Sequence, residues 1–163
     1  MTSVQPVQER PTTTLAQRWC ALAVLHDRIE AHVERALQRE HQLSVREFSL
    51  LEVLSRQHGG DGGHLQMFRV AEAVVLSQSA TTRLVARLED RGLLARYLCP
   101  TDRRGIYTDV TPAGLRLLEQ ARPTNDAALR EALAGAAQMP ELAPFVEVIR
   151  QEAPPAARDG TDS

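Results

Sequence analysis

Residues 76–111 constrain the fold of this chain most strongly, because they hold a capped helix followed by two short strands. The hydroxyl of Ser77 can accept a hydrogen bond from a free backbone N–H in the first turn of a helix. Leu84 and Leu88 then recur at helical spacing, which predicts an amphipathic helix. Gly92 follows at the position where a left-handed residue commonly ends a helix.

The second part of this stretch is typical of a β-hairpin. A strand predicted at about 93–98 leads into a loop at 100–105, and a second strand is predicted at 106–110. Proline, aspartate and glycine in the loop favour a tight turn. Arg103 and Arg104 stand at its tip, and arginine on a thin hairpin suits the narrow, electronegative minor groove of DNA.

The predicted exposed face of the helix differs from that of an ordinary surface helix, which is usually rich in charged side chains. It presents small hydrogen-bonding groups near its N-terminus, namely Gln78, Ser79 and Thr82, with Arg83 beside them. Such groups can approach base edges in a major groove, so contact with bases or phosphates is predicted. The plainer alternative is a solvated helix face.

The distribution of charge favours the same region. The chain carries a net charge of −2. Residues 77–118 hold seven arginines and four acidic residues, whereas residues 119–163 hold four arginines and eight acidic residues. A basic region on a mildly acidic chain is compatible with DNA binding that weakens with salt. Within this region, Arg87 could contact a phosphate or pair with the charges around Glu89 and Asp90, and both alternatives stay open.

Three motifs, in this order, resemble the MarR family of winged helix-turn-helix transcription regulators. The motifs are Leu-Ser-Gln-Ser-Ala-Thr-Thr-Arg-Leu-Val-Ala-Arg-Leu-Glu-Asp-Arg-Gly-Leu-Leu at 76–94, Pro-Thr-Asp-Arg-Arg at 100–104 and Val-Thr-Pro-Ala-Gly at 110–114. The resemblance implies a mainly α fold with a small β-hairpin wing. It also implies that the family's Asp-x-Arg pattern, here Asp102 and Arg104, places the arginine in the groove. The carboxylate of Asp102 would orient a neighbouring guanidinium.

The resemblance further implies a division of the chain into regions. Residues 44–111 would form the winged helix-turn-helix DNA-binding domain. Residues 13–43 and 112–152 would form a helical dimerisation region. The two ends, 1–12 and 153–163, are polar and proline-containing and are predicted to be disordered.

A long first helix is predicted from Thr14 to about Glu40, because apolar residues recur three and four positions apart. These residues are Leu15, Trp19, Leu22, Leu25, Ile29, Val33 and Leu37. Such a long stripe could pack on the chain's own core or on a partner subunit. The resemblance favours the partner, since members of the family pair through their N- and C-terminal helices.

Other elements follow from local signals. Ser44 and Glu47 form a capping box that opens a second helix. Thr111 and Pro112 are suited to start another helix, and Pro123 is predicted to kink or interrupt it. The remaining assignments are a mobile turn at 58–63, a short edge strand at 65–67, the first helix of the helix-turn-helix at 68–75, and a last helix that buries Phe145, Val148 and Ile149.

The predicted function is sequence-specific binding of double-stranded DNA as a homodimer, most simply as a repressor on a pseudo-palindromic operator. By resemblance, a small phenolic or lipophilic effector would bind between the dimer helices and the winged domain. One alternative is a repressor that senses oxidants through Cys20. By resemblance, Cys20 lies near the position at which peroxide-sensing relatives carry their reactive cysteine. Another is a winged-helix module that binds protein and not DNA.

Other function classes lack support in the sequence. No catalytic residues, cofactor site or metal site are predicted, because His26 and His32 are poorly placed on one helix and no cysteine or carboxylate joins them at ligand spacing. Cys20 and Cys99 are expected to be reduced thiols. No apolar run is long enough for a membrane span, and no signal peptide is seen, so a cytoplasmic protein is expected.

Overall fold

The computed structural model describes residues 14–57, 76–98 and 106–151. It is mainly helical with one small β-hairpin, so the predicted fold class is confirmed. The elements are α1 (Leu15–His41), α2 (Val45–Gln57), α3 (Gln78–Asp90), β1 (Leu94–Leu98), β2 (Ile106–Val110), α4 (Pro112–Ala136) and α5 (Ala143–Arg150). The assignments at 1–12, 58–63, 65–67, 68–75 and 153–163 lie outside the described residues.

The helix starts are set by side-chain caps, of which the capping box at α2 is predicted from the sequence and the cap by Thr14 is not. Thr14 Oγ1 accepts from Gln17 N at 3.2 Å, and Gln17 Oε1 accepts from Thr14 N at 2.8 Å. The capping box at α2 has the same form, since Ser44 N donates to Glu47 Oε2 at 2.9 Å and Glu47 N donates to Ser44 Oγ at 3.0 Å. These bonds satisfy N–H groups that no helical carbonyl can reach.

The end of α3 is equally well defined. Gly92 adopts a φ of +70°, which places it in the left-handed region that favours glycine. Its N–H donates to Glu89 O at 2.8 Å, and Leu93 N donates to Leu88 O at 2.9 Å. This pair of bonds closes the helix and turns the chain into β1. The two strands then pair antiparallel, with Leu94 opposite Val110.

Pro123 does not interrupt α4, so that part of the prediction was wrong. The helix runs without a break from Pro112 to Ala136. A proline inside a helix costs about 3 kcal/mol, but tertiary contacts can outweigh that cost. Here Arg122 Nε donates to Glu52 Oε1 at 2.6 Å, and Thr124 Oγ1 lies 2.8 Å from His41 Nε2. Side chains on both sides of the proline are therefore held by α1 and α2.

The core consists of two apolar clusters that share α1 and α4. The larger cluster joins the second half of α1 to α2, α3 and the start of α4, and it includes Leu37, Leu51, Leu54, Val85, Leu88 and Leu118. The smaller cluster joins the first half of α1 to the end of α4 and to α5, and it includes Leu25, Leu133, Leu142 and Val146. Because α3 packs within the larger cluster, its orientation is tied to both long helices.

Apolar side chains at one end of the molecule remain exposed. Trp19 on α1 is 68% exposed and Val148 on α5 is 68% exposed, while Leu15 and Ile149 are also open to solvent. The prediction that α5 buries Val148 and Ile149 was therefore wrong within one protomer. The eight-residue α5 turns Val146 towards the core instead, and Phe145 is only half-buried. Among the described residues, no helix combines the length and apolar character needed to cross a bilayer.

Candidate nucleic-acid interface

Helix α3 buries one face and exposes the face that the sequence singles out. Thr81, Leu84, Val85 and Leu88 are buried against the larger cluster. The predicted DNA-contacting residues of this helix are all exposed. They are Gln78, Ser79, Thr82, Arg83 and Arg87. The predicted orientation of the helix is thus observed, whereas the contacts of these residues with DNA remain predictions.

The N-terminus of α3 is polar and carries no acidic residue in its first turn. Ser77 Oγ accepts from Ala80 N at 3.2 Å, and it lies 3.3 Å from Ser79 Oγ. Thr82 Oγ1 donates to Gln78 O at 2.9 Å, which leaves the oxygen of the exposed Thr82 hydroxyl as an acceptor beside its methyl group. The positive end of the helix dipole adds to the attraction for an anion at this end.

The two arginines on this face differ in their partners. Arg83 makes no ion pair with any residue in the described ranges. Arg87 Nε lies 3.8 Å from Glu47 Oε1 on α2. Of the two alternatives left open for Arg87, the ion pair therefore forms with Glu47 and not with the charges around Glu89 and Asp90, while the phosphate contact stays a prediction. Glu89 is instead held by Arg96 on β1, whose Nε donates to Glu89 Oε2 at 2.5 Å.

The pair formed by Glu89 and Arg96 links the end of α3 to the first wing strand. Arg96 N also donates to Glu89 Oε1 at 3.1 Å. The side-chain hydrogen bond from Arg96 holds the pKa of Glu89 below its usual range, against the opposing effect of desolvation. The same bond raises the pKa of Arg96. Both groups therefore stay charged near neutral pH and fix the angle between helix and strand.

A tight junction joins the end of α3 to the start of α4. Thr111 Oγ1 donates to Gly92 O at 2.6 Å and accepts from Gly114 N at 3.1 Å. Thr111 N donates to Leu93 O at 3.1 Å. A Cβ placed on Gly114 would lie 2.2 Å from Leu93 O and 2.7 Å from Val110 Cγ1. Only glycine allows this close approach, which brings the chain after α3, strand β2 and the start of α4 together.

The wing is described up to the ends of its two strands. Tyr107 and Thr108 on β2 are buried, which anchors the hairpin to the rest of the domain. Asp102, Arg103 and Arg104, the predicted wing contacts, lie outside the described residues. Their roles stay predictions.

Sequence reasoning missed the groups that hold α3 in place. Glu47 was recognised only as a helix cap, yet its carboxylate also meets Arg87 and Arg91. A signal for this was present, because the two arginines are four residues apart and so lie on one side of the helix. Their partner lies forty or more residues away in the sequence, and no local pattern identifies it.

Two predictions from the sequence, a redox role for Cys20 and the lack of a metal site at His26, concern residues of α1. Cys20 is an exposed free thiol on α1. His26, Asp27 and Glu30 bring potential ligand atoms within 4.8 Å of one another, so the statement that no carboxylate joins the histidines at ligand spacing was wrong. Glu30 also pairs with Arg46 at 3.4 Å. Three ligands on one exposed surface do not form the closed shell of a structural metal site.

Comparison with known proteins adds independent information. A family model described as MarR family matches residues 41–105. The chain is 30% identical over 107 residues to the HTH-type transcriptional regulator MhqR of Bacillus subtilis (strain 168), a match that covers 66% of this chain and 67% of MhqR.

Two solved structures show the same arrangement of helices. Sco3205, a MarR family regulator from Streptomyces coelicolor in complex with DNA, superposes with a TM-score of 0.67 at 25% identity and covers 88% of this chain and 89% of Sco3205. CouR from Rhodococcus jostii RHA1, bound to p-coumaroyl-CoA, gives a TM-score of 0.58 at 30% identity, with 79% and 83% coverage. These similarities agree with the capped helix α3, which corresponds to the recognition helix of this fold, and with the hairpin that follows it. They show that the chain belongs to the MarR family of DNA-binding transcriptional regulators.

Proposed function

We propose that this chain is a homodimeric repressor that binds a pseudo-palindromic operator in double-stranded DNA and is released by a small effector. One observation carries the proposal. The exposed face of α3 is polar near its N-terminus and includes an arginine, Arg83, that has no ion-pair partner in the described part of the chain. An exposed cation beside a row of hydroxyl groups and an amide suits a phosphate at the edge of a major groove.

The charges along α3 indicate how deep the helix would enter the groove. Gln78, Ser79, Thr82 and Arg83 occupy its first half, whereas Asp90 is exposed at its last turn. A carboxylate repels the phosphate backbone, so the end of the helix at Asp90 would lie away from the DNA. The first half would then supply base contacts, in which Gln78 can pair with an adenine edge. Arg103 and Arg104, with Asp102 as their orienting group, would reach the adjacent minor groove.

The homodimer is supported by the apolar surface that one protomer leaves uncovered. Leu15, Trp19 and Leu22 on α1 are exposed near Val148 and Ile149 on the terminal helix α5. A groove of about 710 Å³ lies between these helices and is lined in part by Ala21, Phe145 and Val148. Large exposed apolar patches mark protein interfaces. A second copy covering this end would place two recognition helices about one turn of DNA apart.

The effector is proposed to be a small phenolic or lipophilic compound. The related structure of CouR with p-coumaroyl-CoA supports a phenolic ligand class. Such a ligand would act by preferring a dimer in which the two recognition helices are wrongly spaced, since a ligand shifts only states that it distinguishes.

A thiol switch is the second candidate, because Cys20 is exposed on α1 beside the proposed dimer surface. Oxidation there would alter the spacing of the two protomers. Cys20→Ser separates the two mechanisms. Peroxide should release DNA from the wild type and not from this variant if Cys20 is the sensor, whereas equal behaviour of both proteins excludes it.

The experiment that tests the proposal is a gel shift of the chain with DNA from upstream of its own gene, repeated over a range of salt concentrations. Arg83→Ala should weaken binding by about 1–3 kcal/mol and flatten the salt dependence. Arg130→Ala is a matched control, because Arg130 is exposed on α4 and far in sequence from the DNA-contacting elements. Binding that ignores salt would favour a winged-helix module that recognises protein.

A further inference from the structure

Glu47 is a buried carboxylate at the point where α2 meets the recognition helix. It is only 8% exposed although it carries a charge. Its Oε2 accepts from Ser44 N at 2.9 Å and lies 3.5 Å from Arg91 Nη1, while Oε1 lies 3.8 Å from Arg87 Nε. A buried charge is costly unless several groups satisfy it, and here the backbone N–H of Ser44 and the guanidinium groups of Arg87 and Arg91 do so. The capping box accounts only for the bond from Ser44 N, and the two arginine contacts are additional to it.

The two arginines differ in what they leave available. The side chain of Arg91 is 34% exposed, whereas that of Arg87 is 65% exposed. A guanidinium presents five N–H donors in a planar fork, and Arg87 turns its Nε towards Glu47. Because most of the Arg87 side chain is exposed, its terminal Nη groups can reach a partner outside the protein. Arg87 lies one helical turn after Arg83, next to the exposed face described above.

We propose that Glu47 is a positioning residue for DNA binding, which holds Arg87 by its Nε so that the Nη groups meet a phosphate of the operator. This inference rests on the proposed function. In this arrangement the ion pair of Arg87 with Glu47 and its contact with a phosphate are compatible, because one guanidinium makes both. The benefit is entropic. A free arginine must give up its rotamer freedom when it binds phosphate, and a side chain already held on Glu47 gives up less.

Removal of the Glu47 carboxylate should change DNA affinity in the direction opposite to that expected from net charge alone. Glu47 contributes a negative charge to the DNA-binding domain, so its removal should strengthen DNA binding if only the net field matters. If Glu47 positions Arg87, its removal should weaken binding. Glu47→Gln tests the two, because glutamine retains the size of the side chain and an oxygen that can accept from Ser44 N.

The experiment measures operator affinity against salt for the wild type, Glu47→Gln, Arg87→Ala and the double variant. Glu47→Gln should weaken binding about threefold to tenfold and make the log–log salt slope shallower by up to about 0.9, the value for one lost phosphate contact. Arg87→Ala should show a loss of similar kind. The double variant should lose no more than Arg87→Ala alone, because both changes remove the same contact.

Glu34→Gln is the matched control. Glu34 Oε2 accepts from Val45 N at 2.6 Å, so it caps the same end of α2, but in the described structure it contacts no arginine of α3. This variant should lower the melting temperature as Glu47→Gln does and leave the salt slope unchanged. A change of slope in both variants would mean that Glu47 acts only by stabilising α2, and it would overturn the proposal.

Other outcomes are equally decisive. Tighter or unchanged binding by Glu47→Gln, or additive losses in the double variant, would refute the positioning role. If Glu47→Gln is unfolded at the assay temperature, Arg87→Lys decides, because one ammonium group cannot keep both contacts and wild-type affinity would refute the proposal. A wild type that fails to bind DNA in a salt-dependent way would instead refute the proposed function.

Discussion

Replacing Gly114 by alanine should uncouple the recognition helix from α4. The added Cβ would lie 2.2 Å from Leu93 O and 2.7 Å from Val110 Cγ1. The first of these atoms belongs to the backbone, so it cannot rotate away as a flexible side chain could. The start of α4 must therefore move, and the bonds from Thr111 to Gly92 and Leu93 must lengthen.

The size of the effect follows from two opposing terms. Overpacking of this kind costs about 1–3 kcal/mol, while alanine in a helix interior is favoured over glycine by roughly 1 kcal/mol. Because the contact is with backbone at a distance that real Cβ atoms do not adopt, we expect an overpacking cost near the top of that range, about 3 kcal/mol, and therefore a net loss of about 2 kcal/mol. In a chain of this length, that loss lowers the melting temperature by about 4–8 °C.

The assay is thermal unfolding followed by circular dichroism, combined with operator affinity at a temperature where the protein is folded. Gly135→Ala is the matched control, because it lies in the same helix and a Cβ there meets nothing within 4 Å. Gly135→Ala should melt at or slightly above the wild-type temperature. Gly114→Ala should lose both stability and DNA affinity. A Gly114→Ala protein that melts like Gly135→Ala would refute the close junction.

Three further predictions test separate parts of the structure. Arg104→Ala should weaken operator binding by about 1–3 kcal/mol with little change in melting temperature, and unchanged affinity at controlled salt would remove the wing from the mechanism. Trp19→Asp should convert the proposed dimer to monomer in sedimentation, and a monomeric wild type would contradict the proposed interface. Arg96 lowers the pKa of Glu89, so their pair stabilises the fold above the ordinary carboxyl range and loses that effect as pH falls through the lowered pKa. Glu89→Gln should accordingly cost stability at neutral pH but not in acid, and an equal cost at both would exclude the pair as its source.

Much of the local structure could be predicted from the sequence, because its signals act over a few residues. Ser44, Ser77 and Thr111 each cap the helix that follows them, since a side-chain oxygen there reaches a free N–H. Gly92 ends α3 for an equally local reason, its positive φ. The exposed face of α3 followed from helical periodicity alone.

The errors concern contacts between elements that are distant in the sequence. Continuity of α4 at Pro123 depends on Glu52 and His41, which hold its flanks. Val148 is exposed because α5 turns its other side, with Val146, towards the core. The apolar residues of so short a helix do not show by themselves which side is buried. The contact between Glu47 and Arg87 joins two helices without any shared local pattern.

The central claim is that two recognition helices enter successive major grooves of one DNA duplex. Hydroxyl-radical footprinting of the chain on its own upstream DNA measures this directly. Two protected segments should appear with centres about 10–10.5 base pairs apart, or a multiple of that spacing, and both should fade together as salt is raised. A single protected segment, or protection that persists at high salt, would contradict the claim.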